Sequence, residues 1–504
     1  MFDMIIKGGL LLDGTGKPGI RADVALQDGK IARIAPDLEG AAQIIDATGL
    51  VVTPGFIDSH SHADTGILSY PEQTAKLEQG ITTTISGQCG NSAAPAIGDC
   101  APVRRKVDTF LDAVEALPLG ANFMFFVGHS TLRKAVMGLD DREPTPQELA
   151  QMEALLADAF EKGAGGLSFG LYYAPGCFAK TDEAIALAKV AAAYGRPIAA
   201  HIRNESDQVI EAVEEFITIV RASGVRAVLS HHKTAQQPNW GKVTTTLAML
   251  QAAVDEGLDI YCDAYPYCAS STGFSHVFVP KSWRAGGTDC LLERIADPAL
   301  RQAWKEELLA DKGSDFSWVL VTKCPPYPQY QGLRLDKIAE LHGKDQFDTA
   351  MDLIRDSRDT CKSCFFTVRE EDLEKVLSWD RAMIGTDGGL PRQDLQAFHP
   401  RAIGSFPRVL GRYVRERGLV SLPEMIRRIT ALPASVYGLT GKGLLAEGYD
   451  ADICIFDPEK IIDHADFINC WEKAKGLHYV IVGGQVVAED ATCNGVCPGK
   501  LLRR

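Results

Sequence analysis

Residues 51–64 read VVTPGFIDSHSHAD, and the reading of this stretch decides the fold. It opens as an apolar, β-branched run, the composition of a buried strand, and closes on two histidines separated by one residue. Side chains two apart on a strand share a face, so His60 and His62 are expected to project together. Two imidazoles at the C-terminal end of a strand form a metal clamp that calls for further ligands.

Downstream, strand-like and helix-like segments alternate, which is the pattern of repeated βα units and a parallel sheet. After the first strand come ITTTISGQ (81–88), NFMFFVGH (122–129), GAGGLSFGL (163–171), PIAAHIR (197–203), VRAVLSHHK (225–233), LDIYCDAYPY (258–267) and RAMIGTDGG (381–389), eight strands in all. Segments between them, such as TPQELAQMEALLADAFEKG and DEAIALAKVAAAYG, have helical spacing. Eight such units close into a (β/α)8 barrel whose active site lies at the C-terminal strand ends. The long connection after the seventh strand predicts an inserted, largely helical subdomain at about 282–365.

Both termini read differently. Residues 2–53 and the stretches ADICIFDPEKIID and LHYVIVGGQVVAED are short, glycine-punctuated strands, with Gly483-Gly484 as a hairpin turn. One β-sandwich built from residues 1–54 and 441–504, with the barrel at 55–440 between its halves, accounts for this α/β chain.

Candidate ligands fall at five strand ends: His60 and His62 on the first, Cys89 after the second, His201 on the fifth, His231 on the sixth and Asp387 on the eighth. Imidazole, thiolate and carboxylate are zinc-binding groups, and three protein ligands with an open position make a hydrolytic site. His232 adjoins His231 but points to the opposite strand face, and His129 also sits at a strand end; both are read as structural.

The composition suits an enzyme of small molecules. The chain has 504 residues, is 46% hydrophobic and carries a net charge of -14, which disfavours nucleic acid and anionic membranes as partners. No signal-like N-terminus or membrane-length apolar run is evident, and thirteen scattered cysteines suggest free thiols in a reducing compartment, hence the cytoplasm. The lone Cys361-x-x-Cys364 pair is read as ordinary cysteines.

QGITTTISGQCGNSAAP, HIRNE, LSHHK, DAYPYCASST, GTDGGLP and HPRAIGSFPRVLGRYV together resemble the N-acyl-D-amino-acid deacylases (D-aminoacylases) of the amidohydrolase superfamily, over nearly the whole chain. The resemblance implies a tight zinc site made by Cys89, His201 and His231, and a second, weaker one using His60, His62 and Asp387 with Cys89 able to bridge. Asp387 would serve as base and then acid, as a ligand, or as both. Lys233, Tyr265, Ser271 and Arg401 are the implied holders of the substrate carboxylate. SHVFVPKSW, after strand seven, hints at a pocket for apolar side chains, although Lys281 and Arg284 lie close by. The rival readings are a cyclic amidase of the dihydroorotase or hydantoinase kind, whose members usually bridge their metals with a carboxylated lysine where Cys89 stands here, and a non-catalytic scaffold barrel, which predicts missing ligands.

Overall fold

The computed structural model describes residues 1–96, 102–391 and 398–504. Among the described residues, eight parallel strands form the central sheet: β1 (Phe56–Ser61), β2 (Ile81–Ser86), β3 (Asn122–Gly128), β4 (Gly166–Gly170), β5 (Ile198–His201), β6 (Ala227–Leu229), β7 (Ile260–Ala264) and β8 (Ala382–Ile384). Each pairs with its sequence neighbour. The barrel closes where β8 runs on beside β1: the Asp387 N–H donates to His60 O at 2.8 Å and the His62 N–H to Gly388 O at 3.1 Å.

The opening stretch is not one strand, as its composition alone suggests. Val51–Pro54 pairs antiparallel with Ile453–Phe456 in a separate sheet, and only Phe56–Ser61 belongs to the barrel. The break falls at Gly55, where a side chain would meet the Thr82 Oγ1 at 2.2 Å. Its N–H also donates to Asp452 O at 2.7 Å, which anchors the crossing point to the far end of the chain.

The helices form where the spacing places them. Pro146–Glu161 starts at Thr145, whose hydroxyl accepts the Glu148 N–H while the Glu148 carboxylate accepts the Thr145 N–H. This reciprocal cap fixes the start of the helix, which then buries Met152, Leu156, Ala159 and Phe160 against the barrel. Along β3 the outward Phe123, Phe125 and Val127 join that helical layer, whereas Met124 and Phe126 fill the barrel interior with Ile57, Ile85 and Val228. Tyr437, on the helix Ala431–Tyr437, plugs the barrel floor from below.

The two chain ends build a four-stranded and a seven-stranded sheet, packed through Met4, Ile6, Val24, Leu26, Val52, Ile453 and Ile481. The Gly483-Gly484 pair turns Leu477–Val482 into Gln485–Glu489, with Val482 opposite Gln485. After β7 the chain forms helices around their own apolar cluster, including Phe274, Phe278, Phe316, Ile338 and Met351. It also forms a three-stranded antiparallel sheet of Ser270–Gly273, Lys362–Phe365 and Val319–Lys323, which helical periodicity does not announce. No helix among the described residues is long and apolar enough to cross a membrane.

Beneath the closing seam, the fully buried Lys76 ammonium donates to Asp58 Oδ2 at 2.8 Å, to Thr386 Oγ1 at 2.8 Å and to Gly388 O at 3.1 Å. Removing one partner of such a pair leaves the other charge uncompensated in the interior, at a cost of about 3–5 kcal/mol. Lys76→Met should therefore lower the denaturant midpoint sharply in an unfolding titration, and an unchanged midpoint would show that the seam does not depend on this network.

Candidate metal centre

The strand ends of the barrel bring the six predicted ligands to one place. His60 lies in β1 and His62 just past it; Cys89 follows β2, His201 ends β5, His231 follows β6 and Asp387 follows β8. Among the described residues, the donor atoms of His60, His62, Cys89 and Asp387 lie within 4.8 Å of one another, as do those of Cys89, His201 and His231. Cys89 is common to both groups. Its Sγ is 3.3 Å from His60 Nε2 and 3.3 Å from His231 Nε2, while His62 Nε2 is 3.0 Å from Asp387 Oδ1.

Three of these residues hold left-handed backbones: φ is +54° at Cys89, +35° at His231 and +46° at Asp387. For residues with a Cβ this region is unfavourable and persists only where the surroundings enforce it. The turn that each strand makes as it leaves the barrel is what aims these side chains inward. Gly385 permits the same crowding on the eighth strand, since a side chain there would meet the His60 Cβ at 2.5 Å.

Charge in the cluster is strongly biased. Burial opposes ionisation of the Cys89 thiol, but His60 and His231 outweigh it and hold its pKa well below the ordinary thiol value. Burial likewise opposes ionisation of Asp387, and Arg401 with His62 holds its carboxyl well below the usual carboxylate range. His201 has both ring nitrogens buried without a hydrogen-bond partner, and the nearest Glu205 oxygen is 3.8 Å away. Buried polar groups are almost always satisfied, so this orphan imidazole beside a thiolate fits a bound cation. Thiolate and imidazole together are the donor set of a borderline-soft ion such as zinc.

Two carboxylates support the ligands from behind. Asp263 lies 3.2 Å from His60 Nδ1 and accepts the His231 N–H at 2.7 Å. Glu205 Oε1 lies 3.0 Å from His231 Nδ1 and accepts from Lys233 Nζ at 2.6 Å. Both stand inside quoted motifs, DAYPY and HIRNE, but sequence reasoning did not assign them. Asp263 sits two residues before Tyr265 and Glu205 four after His201, spacings that acquire meaning only once the loops are placed. His232 turns away and meets Thr246 Oγ1 at 2.9 Å, and His129 meets Glu183 Oε1 at 2.6 Å, so both stand outside the cluster.

The pocket over the cluster is lined by His201, His231 and Asp387 together with Lys233, Tyr265, Ser271 and Arg401. The Arg401 guanidinium lies 4.5 Å over the Tyr265 ring, with Nη1 2.7 Å from Asp387 Oδ2. Tyr172 and Tyr173, which the sequence reading passed over, complete the wall beside His201, with Tyr173 edge-on to its ring at 4.7 Å. The outer wall carries Val277, Trp318 and Phe365, with Lys312 beside them. Lys281 and Arg284 do not line it: the first donates to Arg203 O at 2.9 Å and the second faces the His276 ring.

The profile of the amidohydrolase family matches residues 43–488. The chain is 36% identical to a D-aminoacylase of Alcaligenes xylosoxydans xylosoxydans, across 100% of this chain and 98% of that protein. It is similar over 100% of both chains, at 35% identity and a TM-score of 0.86, to an N-acyl-D-glutamate deacylase from Bordetella bronchiseptica solved with zinc and a phosphonate mimic of the tetrahedral intermediate. A D-aminoacylase structure described for its binuclear metal centre, with one-metal activation and second-metal attenuation, matches at 36% identity and a TM-score of 0.86, again over 100% of both chains.

Proposed function

Because the chain belongs to the amidohydrolase family, we propose that it is a zinc-dependent deacylase that hydrolyses the amide bond of N-acyl-D-amino acids, releasing a carboxylate and a free D-amino acid. The observation that carries this reading is the shared thiolate: Cys89 joins two ligand groups at the floor of a pocket whose wall presents Lys233 and Arg401. Cys89, His201 and His231 would hold the tight zinc ion, and His60, His62 and Asp387 a second, weaker one. Bound zinc supplies Lewis acidity, bringing the pKa of water toward ~7 and polarising the acyl oxygen.

The remaining chemistry belongs to the chain. Asp387, held ionised, would accept the proton of the attacking water and pass it to the leaving nitrogen as the C–O bond forms and the C–N bond breaks. Arg401, Lys233, Tyr265 and Ser271 would hold the α-carboxylate. A guanidinium can grip a carboxylate through two parallel hydrogen bonds, which fixes orientation as well as charge. Preference for the D enantiomer rests on the activities named for the relatives. Val277, Trp318 and Phe365 support apolar substrate side chains, with Lys312 the cation that lines the same pocket.

We take residues 1–54 and 441–504 as one β-domain and 55–440 as the catalytic barrel, a division supported by the break at Gly55, and 282–365 as its insertion, supported by a separate apolar cluster that also takes in Phe274, Phe278 and Val279 just before it. The free cysteines suit a cytoplasmic enzyme.

Amine release from paired D and L forms of N-acetyl-methionine, N-acetyl-leucine and N-acetyl-glutamate, with dihydrouracil as a cyclic control, tests the reading. Hydrolysis confined to the D forms is expected, with methionine and leucine favoured over glutamate; turnover of dihydrouracil alone would transfer the chain to the cyclic amidases. Asp387→Asn should reduce turnover by about 10²–10⁴-fold, the range for loss of a general acid-base group, while zinc stays bound at the Cys89 site by metal analysis. Arg401→Lys keeps a cation facing Asp387 but loses the planar fork, so KM should rise more than kcat falls, and an unaltered KM would remove Arg401 from the carboxylate site.

A further inference from the structure

Glu205 touches both halves of the site through a single oxygen. Its Oε1 lies 2.6 Å from Lys233 Nζ, on the substrate side, and 3.0 Å from His231 Nδ1, on the metal side. The side chain is only 16% exposed, so solvent screens these contacts weakly. The loop that carries it is pinned to the segment that follows β6, because the Ala235 N–H donates to the Glu205 carbonyl at 2.7 Å.

Each contact has a chemical consequence. His231 points Nε2 at the Cys89 Sγ, 3.3 Å away. Lys233 Nζ, a donor only, also lies 3.0 Å from Nδ1; the Glu205 carboxylate is the acceptor there that favours the proton on that nitrogen, which leaves the Nε2 lone pair free for a cation. Besides that approach to His231 Nδ1, Lys233 Nζ donates to Glu205 and to His231 O at 2.9 Å. These contacts hold the ammonium beside the pocket that Lys233 lines, rather than letting it swing on its four-carbon stem. The carboxylate also offsets the positive charge that Lys233 and Arg401 would otherwise concentrate beside the metal.

Resting on the deacylase reading above, we propose that Glu205 is a positioning residue that couples the two halves of the site, setting the tautomer of His231 for the metal and the reach of Lys233 for the substrate carboxylate. A purely structural salt bridge would hold the loop and do neither.

Glu205→Gln retains shape and removes charge, and its zinc affinity is read by competition with a chromogenic chelator. The expected result is a 10–100-fold loss of affinity, the range for removal of a carboxylate behind a metal-bound histidine. Separately, at saturating zinc, KM for N-acetyl-D-methionine should rise about tenfold with a smaller change in kcat, since ground-state binding is what is lost. Lys233→Met should raise KM but leave zinc affinity near that of the wild type, and adding Glu205→Gln to it should raise KM little further while restoring the zinc defect. If Glu205→Gln folds poorly, Glu205→Asp, which keeps the charge on a shorter stem, should show the same two defects in milder form. Unchanged zinc affinity and unchanged KM in a Glu205 variant, with only a lowered Tm, would overturn the proposal. A wild-type enzyme that cleaves no N-acyl-D-amino acid would overturn the substrate half through the parent reading, and the zinc comparison would still decide the metal half.

Discussion

The closing seam between the first and eighth strands is the constraint on which the rest of the structure depends. Asp58 Oδ1 accepts the Thr386 N–H at 2.8 Å, and Oδ2 accepts the Thr386 hydroxyl at 2.7 Å as well as the Lys76 ammonium. A charge buried this deeply is tolerated only when paired and fully hydrogen-bonded. Here the pairing does geometric work, because Asp58 stands two residues before His60 and Thr386 one residue before Asp387. The same bonds that close the barrel therefore bring the first-strand histidines against the eighth-strand carboxylate.

With the seam closed, the site is held under strain. Positive φ at Cys89, His231 and Asp387 costs of order 1–3 kcal/mol at each position, and nothing local to those residues repays it. The repayment comes from the scaffold: the Asp387 N–H bonded to His60 O, the His231 N–H bonded to Asp263, and the packed helical layer outside. Rigid strand ends place the donors of such a centre more tightly than mobile loops could.

How much of this was legible in the sequence follows from how local each signal is. The eight strands, the capped helix at Thr145 and the glycine hairpin at 483–484 are short-range patterns, and they stand where the residues put them. The six candidate ligands were found because each ends a strand, and the barrel converts that common position into proximity. The proposed 54/55 domain boundary falls at Gly55, but composition does not split Val51–Ser61 into two strands there; both halves are fully buried, and what separates them is their partners, Ile453–Phe456, some four hundred residues away, and Leu10–Leu11 for the first half. Asp263 and Glu205 were missed for a related reason: an acid acquires a role from the histidine it faces, and that pairing spans 203 residues for Asp263 and His60. The three-stranded sheet after β7 likewise depends on Ser270–Gly273 meeting a strand about ninety residues later.

The charges of the centre explain why its imidazoles alone do not satisfy it. Burial disfavours charge on His60, yet the Asp263 carboxylate and the Cys89 thiolate raise its pKa well above the ordinary value. Burial also opposes charge on His62, and Asp387 with Cys89 still brings it up to about 9. Protons on these rings stand in for the positive charge that the thiolate and carboxylates demand. A divalent cation held as proposed would meet the same demand from one point and would engage the orphan His201 as well, so its binding would displace ring protons. Acid and metal thus compete for one set of lone pairs, and the thiolate that draws both together is the group shared by the two ligand sets.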